Sequence, residues 1–527
     1  MLNISPSPIE QMPLVVVVNE DDELLLNSPD TSWYPMLKYM PWQDYQEIAA
    51  MYYDALYDFN ASSDISAGKQ AENIEETKEE AVERLLSNRP TVDKSQPVIF
   101  EPEFKTIQIQ TVSPSSLAPG LVPFRRGGKK PKCFFALLKS FIGATLMGFS
   151  AEPEKVHMLL TSNLAFARVC GFIPENDETY WYKHVPSLRK IEQFDQIMRD
   201  YGLWNRLKLD EVKKNLEENV IEKENTVVGD TTHYHAYSGF ETVTYTGDDG
   251  KEKKKSQSKP TKNCRCDDRD NCEHPWELAD DGAGTIVKAM KNYIWGHKAS
   301  ILGLPLQGIP LDARCVADAS TNDGQTFFPH VALLFKDYPE LKYWFDKALY
   351  DAACDDKELK DQFSDELGIE LKTSMNPRRR KTVTENLPKG MDRLTPYGNL
   401  ICNQGFEMDY QGVRLDTEKF IYCAPVNDDN INVCSECPEK QYCSPNSDNG
   451  RCVTIPFDMM PHIDSNDPPM SKRFKALMTR RPAVERMIKR LKCDLGDDRL
   501  TKRGNASFQA NLDKTMIAFH ILLRYQR

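Results

Sequence analysis

The sequence predicts an α/β fold, a mixed sheet with a helical segment before it and a cysteine-rich insertion within it. Three observations carry that prediction. Residues 133–219 space their apolar side chains at intervals of three and four, the helical period. From residue 226 onward, short β-branched and aliphatic runs alternate with helical ones. Between 376 and 470 the chain becomes loop- and strand-rich and gathers many of its 14 cysteines.

Residues 1–125 read as an acidic arm and linker. Only the stretch 33–57 is aromatic and aliphatic enough to pack, as one or two helices. The polar run 60–83 reads as a flexible segment, and 111–132, rich in Pro, Gly and basic residues, as a linker. Residues 126–224 read as a helical, DNA-binding domain. Apolar periodicity over 134–147, 156–169 and 191–203 suits a helix-turn-helix-like module, and equally a plain helical bundle. The sheet occupies 225–375. A strand over 226–230 is followed by strand-like runs at 293–302 and 309–317, a helix over 325–336 and a strand over 341–345. A helix over 357–367 and a strand over 369–373 complete it. Three strands, a helix, a strand, a helix and a strand is the order of a ribonuclease H-like mixed sheet. A Cys/His loop, 250–280, separates the first two strands. The insertion fills 376–470, and the helices of 471–527 return to the core.

The formal charge of −12 at first argues against a nucleic-acid partner, but its distribution argues for one. Residues 1–100 hold 18 acidic and 6 basic side chains, and the remaining 427 hold 61 of each. In that neutral remainder the cations cluster at 125–132, 251–262, 378–381 and 472–492, the footprint of phosphate binding. The cluster 251–262 lacks apolar partners and reads equally well as a solvated loop. No basic region precedes the apolar stretch 13–18, which is too short for a signal peptide. The most apolar run, 134–151, carries Lys139 in its middle and is expected to be a buried helix rather than a membrane span. A cytoplasmic, nucleoid-associated protein without a membrane partner is therefore expected.

Three acids are placed where strand-cutting chemistry needs them. Phosphoryl transfer between DNA strands requires an activated hydroxyl, a stabilised leaving oxygen and charge compensation at phosphorus. Two divalent ions roughly 3.5–4 Å apart supply all three. Mg²⁺ or Mn²⁺ in such a site takes carboxylate oxygens and keeps several waters. Asp230 ends the first expected strand and Asp346 the fourth, which in this topology lies beside the first. Glu485 follows in a C-terminal helical run, Arg481-Pro-Ala-Val-Glu485 through Lys492. At 100° per residue Arg481, Glu485 and Lys492 fall within about 40° on one helix face, a carboxylate for the metals flanked by cations for phosphate. Asp318, which also follows a strand, is the alternative to Asp346. A solvated or capping carboxylate is the plain reading of each acid.

Arg-x3-Glu-x6-Lys at 481–492 resembles the C-terminal signature of bacterial insertion-sequence DDE transposases, Tyr-x2-Arg-x3-Glu-x6-Lys. Gly229-Asp230-Thr231-Thr232-His233 looks like the first-acid motif of that family, and Phe345-Asp346-Lys-Ala-Leu-Tyr350-Asp351 like the second. The resemblance covers about 133–375 and 470–527. It implies a metal triad of Asp230, Asp346 and Glu485, with Arg481 and Lys492 contacting the transposon end. The sequence departs from the pattern at Met478, where the family has tyrosine, and at Ala348, where it has glycine. Also implied are cleavage at terminal inverted repeats, strand transfer to target DNA, two Mg²⁺ or Mn²⁺ ions per site, and a homodimer on double-stranded DNA. A non-catalytic zinc-stabilised DNA-binding protein derived from a transposase, and a nuclease on the same fold, remain alternatives.

The cysteines fall mainly in two groups. Cys264, Cys266, Cys272 and His274 lie in the first loop. Cys434, Cys437, Cys443 and Cys452 lie in the insertion, with Cys402 and Cys423 upstream. Soft ligands at this spacing in a reducing compartment fit structural Zn²⁺, with an iron–sulfur cluster or unligated thiols as the alternatives. No disulfide framework is expected in such a compartment.

Overall fold

A computed structural model gives the structure of residues 33–66, 97–108, 110–123, 131–173, 181–246, 252–262, 266, 272, 276–289, 292–376, 381–427, 431–447, 450–496 and 499–526. Cys264, His274, most of the basic run 125–132 and residues 378–380 lie outside the described residues. The chain is mixed α/β and divides into two units. Described residues of 1–223, 230–343 and 484–527 form the first, and those of 224–229 and 344–483 the second.

In the first unit, helices α1 (Trp33–Lys38), α2 (Gln46–Ser66), α3 (Phe134–Leu146), α4 (Pro153–Ser162), α5 (Leu164–Cys170), α6 (Leu188–Asp200) and α7 (Leu203–Glu217) precede the strands. Helix α3 is apolar around nearly its whole circumference, as a helix buried on all sides must be. Phe134, Leu137, Phe141 and Ile142 are enclosed. Local chemistry bounds α5: Asn163 Oδ1 accepts the Phe166 N–H at 2.9 Å, and Gly171 takes the left-handed conformation that ends the helix. Leu37, Tyr45 and Tyr53 share one core with Phe134 and Phe141. Residues 33–59, expected ahead of a linker, are thus built into the helical core itself.

Strand β1 (Thr226–His235) follows. Next come the antiparallel pairs β2 (Phe240–Thr246) with β3 (Glu252–Ser258), and β4 (Pro260–Lys262) with β5 (Trp276–Leu278). Strand β6 (Gly284–Ala289) pairs antiparallel with β7 (Asn292–Leu304), which pairs with β8 (Ile309–Cys315). Most of 251–262 is therefore strand rather than loop. Helix α8 (Phe327–Asp337) comes next. Strand β1 neighbours β7, and Gly296 of β7 lies so close to the Tyr234 carbonyl that no Cβ would fit there.

The second unit takes up the start of β1. Strand β9 (Lys347–Tyr350) runs parallel to it, with Thr226 opposite Lys347, Val227 opposite Ala348 and Val228 opposite Leu349. On its other side β9 pairs in parallel with β10 (Glu370–Thr373). The crossover is helix α9 (Lys357–Gln362), continued by a π-helical turn and ended at Gly368 with φ 72°. The strand expected at 341–345 is instead a 3₁₀ helix, Pro339–Tyr343. A strand flanked on both sides needs a continuous apolar run. Ala348, Leu349 and Tyr350 supply one, all fully buried, whereas Tyr343 is 81% exposed.

The insertion carries the hairpin β11 (Met391–Leu394) and β12 (Leu400–Cys402). Strands β13 (Asp409–Arg414), β14 (Lys419–Cys423) and β15 (Cys452–Pro456) form an antiparallel sheet with β14 central. Its core is built from Leu394, Leu400, Phe420, Tyr422 and Ile455. Short helices α10 (Lys440–Cys443) and α11 (Lys472–Met478) complete this part, the latter capped by Ser471.

Helices α12 (Ala483–Lys489) and α13 (Asn505–Tyr525) return the chain to the first unit. There α13 contributes Ala510, Ile517 and Ile521 to the core of α3. It also completes a buried ionic network. Lys208 Nζ lies 2.7 Å from Asp312 and 3.4 Å from Asp513, and Arg314 Nε lies 2.7 Å from Asp312. His330 joins Asp312 at 3.4 Å and Ser300 at 2.8 Å. Burial would raise the Asp312 carboxyl, but Arg314 and Lys208 more than offset that and hold it well below the carboxylate range.

Candidate metal and nucleic-acid site

Strand β1 fixes Asp230. The carboxylate is half-buried, and Oδ1 accepts the Thr231 N–H at 2.8 Å. Asp230 stands two residues beyond Val228, and Asp351 stands two residues beyond its registered partner Leu349. Each parallel strand thus leads into an aspartate after the same number of residues. Asp351 is also half-buried and caps the following turn, accepting the Ala353 N–H at 2.9 Å.

Asp346 is placed differently from the expectation. It precedes β9 instead of ending a strand. Its N–H donates to the Asn225 carbonyl at 2.9 Å, and its carboxylate accepts from Asn225 Nδ2 at 3.3 Å. Asn225 lies five residues before Asp230, roughly 16 Å back at the rise of a strand. The physical reason is the burial requirement that moved the strand from 341–345 to Lys347–Tyr350. Asp318, the weighed alternative, is exposed and spends Oδ1 on the N–H and hydroxyl of Ser320, at 2.8 and 2.7 Å. Asp351 was within reach of the sequence as the residue that follows the buried run Ala348-Leu349-Tyr350.

Glu485 lies exposed in the first turn of α12. Val484 and Met487 are buried on the opposite side of that helix, with Met487 Sδ against Gly303, where a side chain would collide. Arg490 donates to the Gly308 carbonyl at 3.4 Å. Lys492 Nζ donates to the His233 carbonyl and stands 5.1 Å from the Tyr234 ring centroid. The segment bearing Glu485 is therefore seated on the β7–β8 hairpin and the far half of β1, close along the chain to Asp230.

The single helix face expected for Arg481, Glu485 and Lys492 is not formed by one α-helix. Helix α12 begins at Ala483, two residues after Arg481, and Lys492 sits in a π-helical turn, Arg490–Asp494. Pro482 has no N–H to give to a preceding turn, and the wider π turn changes the angle per residue. Met478, at the position of the family tyrosine, closes the separate helix α11.

The cysteines of the insertion also differ from the expected ligand set. Cys452 is disulfide-bonded to Cys423, its registered partner across β14 and β15. Cys434, Cys437 and Cys443 instead line one small cavity with Cys402, Glu439 and Arg451. Burial, and then Glu439, pushes the Cys443 thiol up, with Cys437 and Cys402 adding to it. Of the first cluster, Cys266 and Cys272 are half-buried, while Cys264 and His274 lie outside the described residues. Among the described residues, no three His, Cys, Asp or Glu side chains are drawn together as ligands of one ion.

Among the described residues no helix is long and apolar enough to cross a membrane. Compared with known proteins, the chain matches no family model and no curated sequence.

Proposed function

We propose that the chain is a DNA transposase with a ribonuclease H-like core, which cuts and joins strands with divalent ions, and that Asp230, Asp351 and Glu485 are its acids. The observation that carries this is the parallel register of β1 and β9, in which both strands lead into an aspartate two residues past the same pair. Ligand sites of such sheets lie at the carboxyl ends of parallel strands. Two further features support it. Within the second unit the start of β1, β9 and β10 run parallel to one another, as the corresponding strands of a ribonuclease H-like sheet do. Lys492 ties the segment of Glu485 to the strand of Asp230.

Carboxylate oxygens are the donors that Mg²⁺ or Mn²⁺ takes, and the ions would supply an activated hydroxyl and charge compensation at phosphorus. The chain's own part is to hold three acids on rigid elements. Arg481 and Lys492 then serve phosphate positioning, Lys492 from a side chain already anchored at His233. Helices α3 to α7 are the candidate DNA-binding domain, and two ends handled together call for a homodimer on double-stranded DNA.

A strand-transfer assay tests this. Duplex oligonucleotides from the DNA flanking the coding region are incubated with protein, Mg²⁺ and a supercoiled target plasmid. Joined products, lost in Asp230→Ala and in Glu485→Ala, are expected. Cleavage without joining would make the protein a nuclease on this fold. Binding of the duplexes without either reaction would make it a DNA-binding relative.

A further inference from the structure

The insertion gathers a set of cysteines different from the one its spacing suggests. Cys434-x2-Cys437 is a turn, with the Cys437 N–H directed at the Cys434 carbonyl at 3.4 Å and the Lys440 N–H at the Cys437 carbonyl at 3.0 Å. It leads into α10, whose last residue is Cys443. A second tight turn brings in the fourth sulfur. Cys402 ends β12, its N–H donates to the Phe406 carbonyl at 3.0 Å, and its carbonyl accepts from Gly405 at 2.8 Å. Gly390, at φ 86°, lets the backbone lie directly against Cys443 Sγ, where any Cβ would collide, and its carbonyl accepts the Asn403 N–H at 3.1 Å. Two turns and a short helix thus bring four cysteines to the lining of one cavity, none of them in a disulfide.

We propose that Cys402, Cys434, Cys437 and Cys443 hold one structural zinc ion, and that Cys452 is not a ligand. Among the described residues no three such side chains are already gathered as a group that could hold an ion, so the ion itself would draw the sulfurs in. Four thiols have no attraction for one another, and a divalent cation supplies it. Each thiol gives its proton to solvent as Zn²⁺ binds, forming a tetrahedral tetrathiolate. Soft sulfur donors select zinc over the hard ions of a carboxylate site. Cys452 is excluded because its sulfur is bonded to Cys423 on the adjacent strand. Loops with few apolar residues gain from the ion the fixation that a larger core would provide.

The test is elemental analysis of the full chain purified under reducing conditions without chelator, read as a difference between variants. Cys402→Ser and Cys434→Ser are each expected to carry one equivalent of zinc less than wild type, and Cys452→Ser the same as wild type. Because a ligand variant can misfold, a second measurement uses the wild-type protein. Co²⁺ exchanged into it should give the sulfur-to-cobalt charge-transfer bands and intense d–d bands of a tetrahedral tetrathiolate. Zinc lost from Cys452→Ser but kept in Cys402→Ser would overturn the ligand set. Iron in place of zinc, or a cobalt spectrum without sulfur-to-cobalt bands, would overturn the site.

Discussion

The first unit buries charge, and the insertion of the second buries sulfur. In the first, Lys208, Asp312, Arg314, His330 and Asp513 meet in a fully enclosed network on α7, β8, α8 and α13. Nearby, Asp195 accepts from Trp204 at 3.1 Å and from Lys514 at 3.0 Å. In the insertion the core is aliphatic, aromatic and methionine-rich, with Met375, Met391, Met408, Met460 and Met470 filling it. A long polar reach in it is the Tyr422 hydroxyl, which donates to the Gly398 carbonyl at 2.7 Å. The difference teaches how each part resists change. A buried ion network is unforgiving of losing one member, because the partners stay charged and desolvated. A thin core of soft side chains tolerates repacking but needs covalent or metal cross-links to hold its loops.

That contrast can be broken most sharply at Asp312. Asp312→Ala leaves Lys208 and Arg314 buried without their shared carboxylate and should cost about 3–5 kcal/mol in urea unfolding. A loss under about 1 kcal/mol would mean that water or Asp513 compensates, and that the network is no keystone.

The matching change in the insertion is the double variant Cys423→Ala, Cys452→Ala. Closing a loop with a sequence separation of 29 is worth about 3 kcal/mol. The variant should therefore be that much less stable than the oxidised wild type and nearly equal to it in reductant. Equal stability under both conditions would show that the cross-link does not hold this sheet.

A smaller effect separates the units by pH. His520 is enclosed, with Nδ1 accepting from Asn215 at 3.0 Å and Nε2 donating to the Pro310 carbonyl at 3.0 Å. Burial, with no acid at either nitrogen, pushes its pKa down to about 3. The unfolded chain, with a histidine near 6.5, then binds more protons than the folded one, so stability rises with pH across this window. On going from pH 6.5 to 5 the protein should lose about 1.5 kcal/mol, and His520→Gln should flatten that slope. A slope unchanged in His520→Gln would assign the acid sensitivity to other groups.

Much of the architecture was legible because the long elements announce their period. Strands β7 and β8 and helix α8 begin within two residues of expectation, and β10 within one. The short strand β9 was not legible. Four residues carry too little pattern to compete with the aromatic run before it, and only pairing on both sides reveals it. That one slip set Asp346 at the end of a strand, whereas it stands just before β9. The cysteines show the same limit, since spacing cannot distinguish a cross-strand partner from a cavity ligand until Cys423 and Cys452 are seen in register. The ionic network was invisible for another reason. Lys208, Asp312 and Asp513 lie 104 and 201 positions apart in sequence, and none carries a local signature.

Asp351 and Asp346 are told apart as the proposed second acid by nicking of supercoiled plasmid in Mn²⁺. Wild type and Asp346→Ala should nick at similar rates, while Asp351→Ala should be at least about 100-fold slower, the scale of losing a metal ligand or its orienting partner. Circular dichroism should show all three equally folded. An active Asp351→Ala protein, or an inactive but folded Asp346→Ala protein, would contradict the assignment.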